Sequence, residues 1–354
     1  MKKTLIAAAV AAALVPAAAM AEVAVYGRIH TSVDSISGVA AQTDSTYVNS
    51  NSSRFGVKGS EDLGKGVKGL FQIESGITST QTKADGNGGA GATGPLFTNQ
   101  RDTYVGLTGD FGTFLTGRLG GSNQYVYDSN LFADQIGDAA TFTNTIPGRV
   151  NGALYYQTPD IGGLKAGLSY LPATSVNDTT GNTTGGNSYG LKLDYANAGI
   201  TANFAYFNVK ASSTTTLTPM SLAGSYAFGN GAMVTAQYVK ATTSVSGADT
   251  TRNIFNIGGK YSLSSDSTIK AQYSKAGEST TSGVTNAGSG ATMIAVGYDY
   301  SLSKKAGLYV AYAVVNNDSA ATYVVDNYGH GGNSTAPAAG EDPSGISVGI
   351  TYDF

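Results

Sequence analysis

The chain has 354 residues, a formal net charge of −3 and only 13% charged residues. It has no cysteine and two histidines, His30 and His330, which excludes a disulfide framework, a cysteine nucleophile and a thiolate or histidine-rich metal centre. The mildly acidic balance offers no basic footprint for nucleic acid, and no cofactor is expected.

In chain order, the first segment reads as an address. Met1-Lys2-Lys3 precedes a short apolar run, Thr4 to Val15, and Ala19-Met20-Ala21 supplies the small-x-small pattern of a signal-peptide cleavage site. Residues 1–21 are therefore expected to be removed and 22–354 to form the mature domain; losing Lys2 and Lys3 takes the charge from −3 to −5. The rest is rich in glycine (48) and tyrosine (22) and poor in proline (8). It lacks the Leu, Glu, Lys and Arg runs of long helices, and no later segment approaches the ~20 apolar residues of a membrane helix.

Period-two alternation runs through what remains. Near the end, Ile346, Val348, Ile350, Tyr352 and Phe354 share one face, and Ser347, Gly349, Thr351 and Asp353 the other. Sixteen strands are predicted, near 22–34, 53–62, 67–77, 98–109, 113–119, 150–158, 164–171, 187–195, 199–209, 217–228, 232–241, 252–263, 267–276, 291–302, 306–314 and 344–354. Seven tight turns alternate with eight longer loops rich in Ser, Thr, Asn and Gly, at 35–52, 78–97, 120–149, 172–186, 210–216, 242–251, 277–290 and 315–343. Short turns on one side, long loops on the other and both termini together are the plan of an antiparallel transmembrane β-barrel. A soluble sandwich has no reason to sort its loops in this way. Tyr195, Tyr226, Tyr261, Tyr298, Tyr300 and Tyr352 fall at predicted strand ends, where amphipathic rings meet the membrane interface.

Alternation also assigns faces to charge. Phe55 and Val57 take the lipid face, so Arg54 and Lys58 point inward; Val25 and Ile29 leave Tyr26, Arg28 and His30 inside; Phe71 and Ile73 leave Lys68, Gln72 and Glu74 inside. An arginine facing lipid near the midplane would cost ~2–4 kcal/mol. Gly86 to Gly91 matches G-x-G-x-x-G but lies in a Gly-rich loop with no following helix, so it carries no dinucleotide reading. His30 has no recognisable nucleophile or orienting acid beside it, which argues against a hydrolytic barrel. Rival readings are an outer-membrane enzyme, an adhesin or receptor barrel, and a sugar-specific channel with an aromatic slide.

Several segments resemble the general trimeric porins of Gram-negative bacteria, most closely the beta-proteobacterial branch that includes neisserial porins. They are Ala24-Val25-Tyr26-Gly27-Arg28, Ser53 to Gly64, Phe71-Gln72-Ile73-Glu74, Asn99-Gln100-Arg101-Asp102, Gly112 to Arg118 and Arg149 to Tyr156, followed by the terminal Phe354. The resemblance implies a homotrimer of 16-stranded barrels in the outer membrane, embedded in lipid and lipopolysaccharide, with the third loop (Gly120 to about Pro147) folded inward. It implies a non-enzymatic, water-filled channel for small hydrophilic solutes and ions. Carried over residue by residue, a basic wall of Arg28, Arg54, Arg101 and Arg149 would face loop acids Asp128, Asp134 and Asp138. Lys58, Lys68, Glu74 and Arg118 would also face the lumen, and Phe354 would be read by the barrel assembly machinery. Four arginines against two or three aspartates suggest weak anion preference. The alternative is that these arginines merely pair with carboxylates to pin the loop.

Overall fold

The computed structural model describes residues 22–41, 45–80, 97–120, 129–143, 145, 149–173, 185–326, 329–331 and 336–354. The expected signal segment and Asp128 lie outside them. Twenty β segments form one sheet that closes on itself: β1 (Glu22–Ser37), β2 (Ser45–Ser50), β3 (Arg54–Gly64), β4 (Val67–Ile77), β5 (Phe97–Gly109), β6 (Gly112–Leu119), β7 (Val150–Gln157), β8 (Leu164–Leu171), β9 (Ser188–Asn197), β10 (Ile200–Lys210), β11 (Thr215–Leu217), β12 (Met220–Ala227), β13 (Ala232–Val245), β14 (Ala248–Ser262), β15 (Ser267–Ala276), β16 (Thr280–Thr281), β17 (Val284–Thr285), β18 (Ala291–Ser301), β19 (Ala306–Asn317) and β20 (Ser344–Asp353). β2 and β3 are one stave interrupted at 51–53, as are β11 and β12 at 218–219, and β16–β17 is a small hairpin in a loop. The ring therefore has sixteen antiparallel staves.

The ring closes where β1 pairs with β20, from Arg28↔Asp353 to Ser37↔Ser344. Phe354 extends the seam by exchanging backbone hydrogen bonds with Gly27, at 3.2 and 3.1 Å. Closure satisfies every stave's backbone groups, which lipid could not do. Among the described residues no helix is long and apolar enough to cross a membrane; the strands cross it. Alternation sets the two faces as expected. Val25 and Ile73 are 59% and 60% exposed on the outside, while the inward His30 and Asp34 are 2% and 0% exposed. Tyr226, Tyr261, Tyr300 and Tyr352 are exposed outward.

Several of the predicted loops are partly strand. Residues 242–251 were expected as a loop, but β13 and β14 run on as a ladder to Val245↔Ala248 around a Ser246-Gly247 turn. Both turn residues have positive φ, 50° and 88°, as a two-residue hairpin turn of matching twist requires. The β-branched threonines in this stretch favour strand although they are polar. β2 likewise extends the β1 hairpin into 35–52, and β16–β17 fills part of 277–290.

The third long connection enters the barrel. Residues 129–143 lie against the inner face of β13–β19 and end in a short helix, α1 (Ala140–Thr143). Phe132 and Ile136, both 0% exposed, form a core with Val239, Ile254, Met293 and the alanines 295, 311 and 313. Each such burial stabilises the docked loop by ~1.5–3 kcal/mol. The small wall residues make the contact possible. At Gly137 (φ 81°) an added Cβ would sit 2.6 Å from the Cβ of Ala295 and 2.9 Å from that of Ala313. The loop after β19 joins the same core: Val325 is buried and its carbonyl accepts a hydrogen bond from the Gly137 N–H at 3.1 Å.

Candidate pore constriction

Adjacent staves bring basic residues to one height of the lumen. Arg28 on β1 stands directly opposite Arg54 on β3, an arrangement that like charge makes unfavourable unless acids intervene. Acids do intervene. Arg28 makes two charge-assisted hydrogen bonds to Asp353, at 2.7 and 3.0 Å. Arg101 on β5 pairs with Glu74 on β4, and the Tyr26 hydroxyl donates to the same carboxylate at 2.8 Å. Arg149, just before β7, bonds Asp102 at 2.7 Å, and the Gly120 N–H donates to the same oxygen at 3.1 Å. The Arg54 guanidinium instead donates to the Ser52 carbonyl at 3.4 Å. Its charged neighbours are Arg101 and Arg28 of like sign and Asp134 and Glu74 of opposite sign.

On the loop, Asp134 takes the left-handed conformation (φ 61°), which Asp tolerates better than most residues. Its charge acts on Arg28, Arg54 and Arg101 together. The structure thus brings Asp134 and three of the four wall arginines into one electrostatic cluster.

Asp138 does not join it. The side chain is 0% exposed, and its oxygens accept the N–H groups of Asp134 (2.9 Å) and Ala140 (2.7 Å) and the Asn130 amide. It caps the first turn of α1 and presents no face to a solute, contrary to the expectation for it. Burial first, and the neighbouring charge of Asp134 second, push its pKa up to about 7.

The secondary residues separate as well. Glu74, 8% exposed, belongs to the cluster as the partner of Arg101. Lys58 is exposed, with its ammonium 4.9 Å from the Tyr26 ring centroid. Arg118 donates to Asn151 at 3.0 Å. Lys68 lies in register with Asp62, close to the Gly64–Gly66 turn, and so takes no part in the cluster.

Among the described residues, the hydrogen bonds from the barrel wall to residues 129–143 come from polar residues of the opposite wall. Gln272 accepts from Leu131 N at 2.9 Å and donates to Gly137 O at 3.3 Å. Lys270 reaches Gln135 at 2.7 Å and lies over the Phe132 ring, and Gln237 and Asn256 hold Ser129. Lys270 and Gln272 were legible as inward-facing from alternation, but nothing local assigned them to the loop. Asp102 and Asp353, beside residues already singled out, were legible in the same limited sense.

A second anchor joins the loop after β19 to β1. His330 and Asp34, both fully buried, are 2.9 Å apart, and Asp34 also accepts from Ser32 and Asn49. Gly331 N donates to Asn51 at 2.9 Å. Burial alone would lower the His330 pKa, but the hydrogen bond and charge of Asp34 raise it above the ordinary value.

Among known proteins, residues 7–320 match the family model described as Gram-negative porin. The chain is 30% identical over 373 aligned residues to outer membrane porin protein 32 of Delftia acidovorans, covering 100% of both chains. It is 30% identical over 218 residues to the major outer membrane protein P.IB of Neisseria gonorrhoeae, covering 58% of this chain and 56% of that protein. Among solved structures, the anion-selective porin from Comamonas acidovorans superposes with a TM-score of 0.77 at 25% identity, over 94% of this chain and 100% of that one. The Vibrio cholerae outer membrane protein OmpT, in its trimer form, shares the fold with a TM-score of 0.71 at 15% identity, over 95% and 100%. With a closed sixteen-stave barrel, an inward loop and a charged lumen in place, the chain belongs to the Gram-negative porins and forms a channel of the outer membrane for passive diffusion of small hydrophilic solutes.

Proposed function

We propose that the eyelet is the gap between Asp134 and the arginine cluster, and that it gives the channel a weak anion preference. The observation that carries this reading is the pairing pattern. Arg28, Arg101 and Arg149 are each matched by a wall carboxylate, whereas Arg54 hydrogen-bonds a carbonyl, and Lys58 adds a second cation on the same stave. Asp134 is the opposing acid. Charges farther away are screened beyond ~8–10 Å at physiological salt, so this cluster outweighs the negative net charge of the chain. A transverse field of this kind favours hydrated polar solutes and disfavours apolar ones. The anion-selective porin of Comamonas acidovorans is a relative consistent with this sign. Membership of the porin family supports a channel reading rather than an enzymatic one.

The finer assembly reading is a homotrimer in a lipopolysaccharide-containing membrane, delivered by cleavage after Ala21, with Phe354 read by the assembly machinery. Planar-bilayer recording of the purified protein in asymmetric salt tests the function: discrete conductance steps and a reversal potential on the anion side are expected. Mass measurement in mild detergent should return three chains, each beginning at Glu22, and deleting Phe354 should lower the yield of folded trimer.

A further inference from the structure

The outer surface of β13–β15 carries charge that the channel does not use. Residues 185–326, which form these staves and their connections, are described without a gap. Alternation sorts the outward positions from the short-turn end to the long-loop end. On β14, Ile257 and Phe255 give way to Asn253 and Thr251. On β13, Val234 and Tyr238 give way to Lys240 and Thr242, and on β15, Ile269 and Tyr273 give way to Lys275. The face therefore changes from apolar through cationic to hydroxyl-bearing within a few residues of each stave.

Register fixes how these groups meet. Lys240 stands opposite Asn253, and Lys275 stands opposite Phe255, which in turn stands opposite Tyr238. Stave spacing and residue rise place the two lysine Cα atoms ~12 Å apart, one on either side of β14. Both lysines are exposed, and among the described residues no hydrogen bond or ion pair engages either ammonium. Between them the Tyr238 hydroxyl donates to the Asn253 side-chain oxygen at 2.9 Å, which leaves the amide N–H groups of Asn253 as spare donors. The Tyr238 and Phe255 rings lie 5.0 Å apart beneath this amide. Toward the loops, the Thr242 and Thr251 hydroxyls are 3.1 Å apart. Neighbouring acids do not neutralise the lysines. Asp249, on the same face of β14, lies four residues beyond Asn253, ~14 Å along the stave, and the Glu278 carboxylate accepts the Gly288 N–H at 2.6 Å.

We propose that this face binds one phosphorylated, acylated glycolipid of the outer leaflet. Its acyl chains lie along Ile257, Phe255 and Tyr238, its phosphates meet Lys240 and Lys275, and its sugar hydroxyls meet Asn253 and the threonine pair. The order of the three chemistries along the staves is the order in such a lipid, from hydrocarbon through phosphate to sugar. Interfacial lysines extend their ammonium to headgroup level in any case; here two of them flank one aromatic pair and one free amide. The site lies outside the lumen, so it is independent of the eyelet and of ion selectivity.

The test uses the mature barrel purified in mild detergent and titrated with bisphosphorylated lipid A, the lipid retained being counted by native mass measurement. Saturable retention of one lipid per chain is expected, with lipid A stripped of both phosphates held far more weakly. Lys240→Ser and Lys275→Ser should each raise the half-saturating concentration about five-fold and together about twenty-five-fold, as a lysine beside an anionic lipid implies. Lys260→Ser removes the same charge from an inward position of β14 and should leave binding unchanged. Four results would overturn the site: no saturable retention by the wild type, equal retention of the phosphate-free lipid, a double variant that binds like the wild type, or Lys260→Ser weakening binding as much. An amine-reactive cross-linker that joins Lys240 or Lys275 to a second chain would overturn it as well, by making this face an interface between copies. If the double serine variant lacks the heat-modifiable gel shift of a folded barrel, Lys240→Gln with Lys275→Gln takes its place.

Discussion

The wall formed by β13–β20 and the wall formed by β5–β10 belong to one sheet and face one lumen, yet they are finished differently. The first is padded: the loop at 129–143 and the loop after β19 lie on it, and Phe132, Ile136, Val325 and His330 are completely buried. On the second, among the described residues, apolar side chains line a hollow. Side-chain size at inward positions accounts for the difference. Alanines 295, 311 and 313 and Gly297 leave space into which a loop can pack, whereas the corresponding inward positions of the other wall carry the larger Tyr104, Leu115, Tyr155 and Phe207. Between the two walls, the arginine cluster and Asp134 form the proposed narrow section. Pore geometry is thus set by where the wall is small enough to hold a loop.

The most direct way to break this contrast is to strip the padding. Phe132→Ala should cost ~3–5 kcal/mol of loop docking while leaving the strand ladder intact. The expected result is a larger, noisier single-channel conductance with an unchanged heat-modifiable gel shift of the barrel. An unchanged conductance would mean that the loop is held by its polar contacts alone.

Next in size is the charge between the walls. Arg101→Ser strands the buried Glu74 without its partner, a change that in buried pairs costs ~3–5 kcal/mol, and Arg54→Ser removes the arginine that lacks a wall carboxylate. The double variant should raise conductance and move the reversal potential toward cations. Asp134→Asn should move it the other way. If both keep the wild-type reversal potential in asymmetric salt, the selectivity region lies elsewhere.

A smaller effect should come from pH, through the two loop anchors. The raised pKa of His330 means that its contribution is complete below the ordinary histidine value near 6.5 and is lost as pH rises through the folded-state value. The raised pKa of Asp138 has the same sign. The protonated form is favoured in the folded loop, so the contribution is complete below ~4 and declines as pH climbs to about 7. Both anchors therefore weaken toward alkaline pH. Open-channel noise should increase above neutrality, and His330→Gln should flatten the part of that increase above pH 7.

Strand faces were legible in the sequence because a period of two runs through most of the staves, and Val25, Arg54, Ile73 and Glu74 lie where alternation assigns them. The padding was not. Residues 129–143 have apolar side chains with no strand or helix period over a useful length, so only the small residues of distant staves reveal where they go. Polar hairpins such as 242–251 read as loops because threonine serves both states. The inner face of β5–β10 was hidden in another way: Phe114 and Leu115 are adjacent and apolar, so alternation there does not say which of them faces water. Asp134 and Asp138 make the same point for the site. Two aspartates four residues apart carry one label in sequence, yet one faces the arginines and the other caps a buried turn.

That pair supplies the smallest predicted effect and a sharp one. Asp138→Asn keeps an oxygen that can accept the Ala140 N–H, but its new amide must meet the Asp134 N–H where a carboxylate oxygen stood. Asn130 cannot turn to compensate, because its own oxygen already accepts from Phe132 and Ala139. One mismatched donor in a buried turn costs ~1–3 kcal/mol, less than removing Phe132, so the loop should stay docked. Selectivity should then respond through the charge on Asp138 alone. In the wild type that charge is partly neutralised near pH 7, so lowering the pH from 8 to 6 should shift the reversal potential slightly toward anions. In Asp138→Asn the channel should begin at the more anion-preferring value, and this shift should vanish. Asp134→Asn should raise the starting value further while keeping a pH-dependent shift, because Asp138 still titrates. Equal behaviour of the two variants would mean that the capping carboxyl of Asp138 is not distinguished from that of Asp134, which faces the arginines, and that the loop seats the two side chains differently from the arrangement described.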